Sequence, residues 1–578
     1  MSKLSALREA RSLSDVARLL SFQPKSLAYI LHKQPPTTRY YVFHVPKRSG
    51  GQRTISAPCD SLKLLQHNLA ELLQDCLDEL AAANKRSDRA SHGFVRNRSI
   101  FSNALQHRHR RWVFNLDLED FFPSINFGRV RGYLAKNRDF ELNLAVATVV
   151  AQIACFENSL PQGSPCSPVI ANLICHVLDM RLVKLARDVG CTYSRYADDL
   201  TFSTNKKGFP PEIALPVDID GQGSHLWLPG DSVRRVVERY GFRINAKKTH
   251  VMYRSSRQEV TGLIVNQKVN VRSEYRHGVR AMVDKLVKSG SYDVLGEVKK
   301  DGVTVIDRRP GSLDELHGML GFIDHIEKRN RSDALTGDAL SSAEKVYQQF
   351  LYYRTFYAAE RPVVICEGET DNVYLIHAIR SLAADFPELA EVGANGKIRL
   401  IPRLFKYPQS STARLIGLTG GSSVLNSFIQ SYKKKIEGFA GPGLAHPVIV
   451  LFDNDSGSDG IWSMMRNVTK RSLTKEESFV HLFKNLYAVP TPGRGSKIED
   501  FFDASTKDRK LEGKSFSDRN NLDPNKQYGK TIFAHRVVRP NADTLDFSGF
   551  TPLLRNVVSV IREHGARVIP SAETWTIS

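Results

Sequence analysis

The sequence predicts an α+β amino-terminal part followed by an α/β part that begins near Pro362. Three observations carry this reading. Tyr196-Ala197-Asp198-Asp199 interrupts two short runs of strand-forming residues within 191–203, which reads as a hairpin presenting adjacent carboxylates. Trp112–Leu118 reads as a buried strand that carries a further acid, Asp117. After Pro362, short apolar runs end in acidic loops and give way to helical spacing, which is how βα units begin.

Bulk properties bound the partners. At 578 residues, a prior of ~150 residues per domain predicts three or four compact units. A net charge of +20 points to a polyanionic partner, nucleic acid before an anionic membrane. The basic residues cluster locally, as in His107-Arg-His-Arg-Arg111 and Lys433-Lys-Lys435, rather than in one tail. The seven cysteines (59, 76, 155, 166, 175, 191 and 366) form no C-x-x-C pair, so neither a zinc ribbon nor a disulfide framework is indicated. Reduced thiols, no signal-like start and no run of ~18 apolar residues lead us to expect a cytoplasmic protein without a membrane span.

The elements follow in order. Residues 1–35 show helical apolar spacing. Tyr40–Pro46 alternates like a strand, and a turn at Ser49-Gly-Gly51 leads to a return strand at Arg53–Ser56, with Lys47, Arg48 and Arg53 around the tip. Leu62, Leu65, Leu69, Leu72, Leu73, Leu77 and Leu80 give residues 60–83 a helical period. Leu142–Phe156 reads as a helix, and the Gly-, Pro- and Asp-rich stretch Asn205–Asp231 as a surface insertion. Arg276–Arg331 reads as helical, ending in the polar run 330–337, and a helix with Phe350-Leu-Tyr-Tyr353 leads to Pro362. Strands are expected at Val363–Cys366, His446–Phe452 and Leu486–Val489, with a helix over Val373–Leu382.

A nucleotidyl-transfer site needs two divalent cations roughly 3.5–4 Å apart, held by carboxylates from more than one strand. Asp117 on one strand and the Asp198-Asp199 pair on another could supply them, although Asp also favours simple turns. Phe122, five residues after Asp117, is placed to pack under the sugar of an incoming nucleotide and favour dNTP over NTP; core packing is the alternative for Phe121 and Phe122. Leu160-Pro-Gln-Gly-Ser-Pro-Cys-Ser-Pro168 fixes a loop of little bulk, which lets a base and template approach the backbone closely.

Asn115-Leu-Asp-Leu-Glu-Asp-Phe-Phe122, Leu160–Pro168 and Tyr196-Ala-Asp-Asp199 together resemble motifs A, B and C of reverse transcriptases, in order. Gly241–Thr249 is similar to motif D. The resemblance implies a right-hand polymerase of fingers, palm and thumb, with two Mg2+ ions on Asp117, Asp198 and Asp199. It implies dNTP contacts from Arg53, Phe122, Gln162, Gly163 and Lys248, Lys248 protonating the pyrophosphate leaving group. Asn103-Ala104-Leu-Gln-His107 and Val260-Thr261-Gly262 match signatures of retron enzymes, which narrows the resemblance and implies roles for these residues in RNA recognition. Retron enzymes bind a cognate structured noncoding RNA (msr-msd), prime from a 2′-hydroxyl of an internal guanosine and make branched, RNA-linked DNA, msDNA.

In the second part, Glu367, Asp371, Asp453 and Asp455 follow strand-like runs, and acids at strand C-termini of an α/β sheet converge on the ligand-binding crevice. Magnesium favours such oxygen donors. The set resembles a Toprim domain, and Glu367-Gly-Glu-Thr-Asp371, Leu418-Thr-Gly-Gly421 and Ile498-Glu-Asp-Phe-Phe502 resemble its OLD-type nuclease branch, with Glu499 completing the shell for one or two Mg2+ ions, or Mn2+. Such enzymes often carry a Ser two residues before that Glu; this chain has Lys497, which could instead stabilise the pentavalent phosphate.

The resemblance thus implies a helical segment over 1–35, fingers and palm over 36–255, thumb and RNA-recognition region over 256–335, a linker helix over 336–360 and a Toprim nuclease over 361–578. The whole resembles the class of retron in which a reverse transcriptase is fused to a Toprim domain. The expected function is msDNA synthesis joined to a nuclease effector of anti-phage defence, acting on an unidentified nucleic acid and restrained by the msDNA complex in a homo-oligomer. Two alternatives are a Toprim domain that only binds or processes msDNA, and a group II intron maturase.

Overall fold

The computed structural model describes the chain apart from residues 1, 48–50, 85–89, 219–224, 301–302, 332–339, 407–410, 519–521 and 569–578. The expected turn at Ser49-Gly-Gly51 and the polar run 330–337 lie largely outside the described residues. Two compact units emerge, where length alone predicts three or four. One comprises Met1–Tyr275, Glu297–Val305 and Ile326–Ala334, the other Arg276–Gly296, Ile306–His325 and Leu335–Ser578. The first does not subdivide because a single core cluster runs from Leu4 to Phe242.

In the amino-terminal unit, helices Lys3–Glu9, Leu13–Leu19 and Pro24–Ala28 precede a two-stranded antiparallel ribbon, Tyr40–Pro46 with Gln52–Pro58. The helix Asp60–Asn84 buries its leucine stripe: Leu65, Leu69 and Leu73 are all fully buried. A four-stranded antiparallel sheet is the frame of the unit, ordered Thr192–Tyr196, Asp199–Thr204, Trp112–Asp117, His250–Tyr253. Its central strand, Trp112–Asp117, is buried on both faces through Val113, Phe114 and Leu116. These strands and helices give the unit a mixed α/β fold.

The stretch 205–231, expected to be only a surface insertion, contains an antiparallel pair, Ala214–Asp218 with His225–Pro229. Trp227 anchors it, its ring 5.8 Å from Trp112 and 5.9 Å from Phe209. The helical reading of Arg276–Arg331 is also corrected. Helices Ser273–Ser289 and Leu313–Asn330 flank a strand pair, Asp293–Lys300 and Val303–Pro310. The β-branched run Val303-Thr-Val-Ile306 is a strand signal that the surrounding helical stripes obscure.

The carboxy-terminal unit is built on a five-stranded sheet ordered Arg403–Leu404, Val363–Ile365, Val448–Phe452, Leu486–Pro490, Val480–Phe483. The first four strands run parallel and the last pairs antiparallel. Val448–Phe452, at its centre, is buried along its whole length, as a parallel strand covered on both faces must be. Ser342–Tyr352 forms a helix and its aromatic end continues as a wider turn, Tyr353–Tyr357. Among the described residues no helix is long and apolar enough to cross a membrane. All seven cysteines are unpaired.

Candidate functional sites

The amino-terminal site is assembled by strand register. Asp117 stands directly opposite Asp199 across the central strand pair, and Tyr196 closes the hairpin opposite Asp199. The amide of Leu118 donates to the carbonyl of Asp198 (3.0 Å), tying the first acid of the turn to the strand that bears Asp117. Ala197 turns the hairpin with φ +56°, a left-handed conformation uncommon for a residue with a side chain.

The three carboxylates crowd one another. Burial, then the charges of Asp198 and Asp117, push Asp199 up to about 7. Burial and Asp117 likewise raise Asp198, against the opposing pull of Lys248 and Arg53. Lys248 Nζ donates to Asp117 Oδ2 at 2.8 Å, and Asn245 Nδ2 to Oδ1 at 3.2 Å. Burial opposes the Lys248 charge, but the bond to Asp117 and the charges of Asp117, Asp198 and Asp199 together hold the ammonium above its ordinary range. Asp117, Asp199, Lys248, Thr261 and Gly262 line one open cavity of about 670 Å³.

The nucleotide-facing candidates sit around these acids. Arg53 is exposed on the two-stranded ribbon, opposite Val45. Ser56 of the same ribbon donates its amide to the carbonyl of Gln162 (2.8 Å), docking the ribbon on the Leu160–Pro168 loop. Gly163 has φ +121°, and a Cβ there would meet Ser56 O at 2.8 Å, so only glycine permits this approach. Phe122 is half-buried, its ring 5.2 Å from Phe121.

The predicted RNA-recognition residues require a correction. Asn103, Ala104 and His107 are completely buried, as is Val260, so they do not present their side chains to RNA. His107 is bonded through both ring nitrogens, Nδ1 with Ser203 Oγ and Nε2 with Ser194 Oγ, each at 2.7 Å, and Ser194 Oγ donates to Asn103 Oδ1. The motif stitches the helix Ile100–Gln106 to the two strands of the aspartate hairpin, because a buried imidazole must satisfy both nitrogens. Thr261 and Gly262 do line the cavity, and Thr261 Oγ1 donates to Ile100 O at 3.2 Å.

Sequence reasoning missed the support beneath the hairpin. Arg195 is fully buried, paired with Asp179 of the helix Ser167–Asp188 at 2.7 Å, and donates through Nη1 to the Ala197 carbonyl at 3.0 Å. One Arg and one Asp sixteen positions apart on different elements leave no local signal.

In the carboxy-terminal unit, Glu367 and Asp453 follow adjacent parallel strands, and the Asp453 amide lies 3.4 Å from Glu367 Oε2. The Leu418–Gly421 loop comes to the same end of the sheet: Gly421 donates its amide to the Glu367 carbonyl at 2.8 Å. Asp371 is buried at the start of the helix Glu369–Ser381 and accepts from the Gly368 amide. Asp453 Oδ1 accepts from the Ile498 amide at 2.9 Å, which brings Glu499 into the group. Burial, with Asp371 and Glu499 nearby, pushes Asp453 up to about 8; burial and Glu499 push Asp371 up to about 6. Burial raises Glu367 too, Asp455 adding to it. Asp455 Oδ1 caps the short turn after it by accepting from Gly457 N.

Lys530 is the cation that the sequence did not reveal. Its Nζ lies 3.0 Å from Glu499 Oε2 and 3.9 Å from Asp453 Oδ2. Lys497, weighed as a phosphate-stabilising residue, instead donates to Asp518 Oδ2 at 2.7 Å.

Both groups suit a divalent cation in charge and donor type, since hard oxygen donors gather there with fewer lysines than acids. Glu499 is 2 % exposed and its Oε1 has no hydrogen-bond partner, an expensive state that a cation would relieve. Among the described residues no three acidic, His or Cys side chains are yet closed around a metal position.

A family model for reverse transcriptase (RNA-dependent DNA polymerase) matches residues 45–288. Retron Mx162 reverse transcriptase of Myxococcus xanthus is 35 % identical over 350 residues, 56 % of this chain and 65 % of that protein. Retron Mx65 reverse transcriptase of the same organism is 36 % identical, over 48 % of this chain and 64 % of its own, so the chain spans just under two thirds of both. Retron Ec73 reverse transcriptase of Escherichia coli is 33 % identical over 257 residues, 42 % of this chain and 72 % of that protein. With the aspartates joined by strand register and a 33 % identical relative matched over 72 % of its length, the chain belongs to the retron reverse transcriptase family.

Proposed function

We propose that the amino-terminal unit is an RNA-directed DNA polymerase that extends a 2′-hydroxyl of a cognate noncoding RNA into branched msDNA. The observation that carries this is the register placing Asp117 opposite Asp199, with Asp198 beside them. Two Mg2+ ions, when bound by these three acids, would supply activation of the priming hydroxyl and neutralisation of the triphosphate. Arg53 binds triphosphate oxygens with its fork of donors. Gly163 and Gln162 hold the loop close to the nascent base pair, and Phe122 selects against a ribose. Lys248, held beside the acids by its bond to Asp117, gives its proton to the departing pyrophosphate. The test is to purify the chain with its noncoding RNA, add dNTPs and Mg2+, and look for DNA joined to an internal guanosine. DNA made equally well by Asp117→Asn would refute the site.

For the carboxy-terminal unit we infer a Toprim-type, metal-dependent nuclease that serves as a defence effector and is held inactive by the msDNA complex. The unsatisfied Glu499 Oε1 beside Glu367, Asp371 and Asp453 favours this over a unit that only grips msDNA. Mg2+ held by these acids would supply the Lewis acidity that phosphodiester hydrolysis needs, while Lys530 faces the developing negative charge. Expression with and without the noncoding RNA separates the readings. Toxicity in its absence that disappears in Glu367→Ala supports the nuclease; no toxicity in either condition, or toxicity that survives Glu367→Ala, supports the binding role.

A further inference from the structure

Resting on the polymerase reading above, we propose that Phe94 touches the nucleic acid in the amino-terminal site, offering its ring as a platform for a nucleoside of the template–primer at the point of insertion. The loop that carries it is docked onto the aspartate hairpin. The His92 amide donates to the Arg195 carbonyl at 2.8 Å, and Asn172 Nδ2 donates to the Gly93 carbonyl at 2.8 Å. Gly93 lies so close to the hairpin turn that a Cβ would stand 2.6 Å from the amide nitrogen of Ala197. Gln74 Nε2 then holds the Phe94 carbonyl at 3.1 Å.

This anchoring keeps Phe94 in a conformation a bulky residue avoids, φ +59°. Burial does not repay that strain, because Phe94 remains 46 % exposed. Its ring lies 6.5 Å from Phe122 and 6.5 Å from Tyr196, linking the candidate sugar-selecting residue to the first residue of the aspartate turn. Three aromatic rings beside three carboxylates make an apolar wall next to an anionic, cation-seeking centre. A nucleoside matches both halves: its base and sugar faces stack on rings whatever the sequence, while its phosphates go to the charged side. Strained backbone held from several directions is how functional side chains are kept in place.

The test uses the full chain on a primed RNA template, measuring dNTP KM, template–primer Kd by anisotropy, and thermal unfolding. Phe94→Gly relieves the left-handed backbone, so it should unfold no earlier than wild type. Its KM or Kd should nevertheless rise about tenfold or more, as loss of one stacked base predicts. Phe94→Trp should keep both values within about threefold of wild type, because it retains a π face. Unchanged KM and Kd in Phe94→Gly overturn the proposal, and so does a loss that tracks a lowered melting temperature and appears equally in Phe94→Trp. Failure of wild type to extend the primer counts instead against the polymerase reading.

Discussion

Arg195 engages Asp179 with two donors, Nε 2.9 Å from Oδ1 and Nη2 2.7 Å from Oδ2, and neither side chain is more than 1 % exposed. The guanidinium's remaining donors reach the Ala197 carbonyl and Ser91 Oγ, so one ion pair braces the turn that carries two acids. Removing one partner of a buried pair strands the other's charge, at about 3–5 kcal/mol. Asp179→Asn, which strands the guanidinium's charge, and Arg195→Lys, which keeps the charge but loses the fork of donors, are both expected to lower the unfolding temperature and slow DNA synthesis together. Thermal unfolding beside primer extension checks this; wild-type synthesis by both variants would show that the turn does not need the brace.

His107 gives a pH dependence with a defined sign. Burial drives its folded-state value down to about 3. An unfolded histidine titrates near ~6.5, so below that pH the unfolded chain takes up a proton that the folded chain refuses. The stabilisation is complete above about pH 6.5 and is lost as the pH falls, by about 2 kcal/mol at pH 5. Urea unfolding at pH 7 and pH 5 should show a smaller loss in His107→Gln than in wild type; equal losses would mean the imidazole is charged in the fold.

Crowded carboxylates favour activity at the expense of stability. Since burial, Asp198 and Asp117 all oppose the Asp199 charge, Asp199→Asn should unfold at the same or a higher temperature in metal-free buffer. DNA synthesis should fall by at least about a hundredfold. Calorimetry with a primer-extension assay decides, and early unfolding of the variant would contradict the electrostatic account.

Gly163→Ala tests the docking of the two-stranded ribbon. The added Cβ would meet Ser56 O at 2.8 Å in a backbone with φ +121°. A strain of about 1–3 kcal/mol should appear as ribbon displacement, seen as a raised dNTP KM with the template–primer Kd unchanged. An unaltered KM would show that the ribbon contributes nothing to nucleotide binding.

Lys530→Met removes the cation 3.0 Å from Glu499. The variant should unfold earlier than wild type in chelator and gain more from added Mg2+, since metal binding to the native state stabilises by mass action. Equal Mg2+ shifts in the two proteins would dissociate Lys530 from the metal group.

The strands, the aspartate hairpin and the acids after the parallel strands were legible in sequence, because apolar period and turn chemistry act over a few residues. Asp117, Asp198 and Asp199 could be named that way, and so could Glu367 and Asp453. Asn103 and His107 were legible as a motif but not in their role: only the packed structure shows them inside, bonded to Ser194 and Ser203. The strand pair within 276–331 was hidden between two helical stripes of its own neighbourhood. Arg195 with Asp179, Lys530 with Glu499, and Phe94 beside Phe122 and Tyr196 each join residues from separate elements. Side-chain periodicity fixes what a segment becomes. Which charge neutralises which, and which ring is left facing the site, is set by the mutual approach of distant segments in the folded chain.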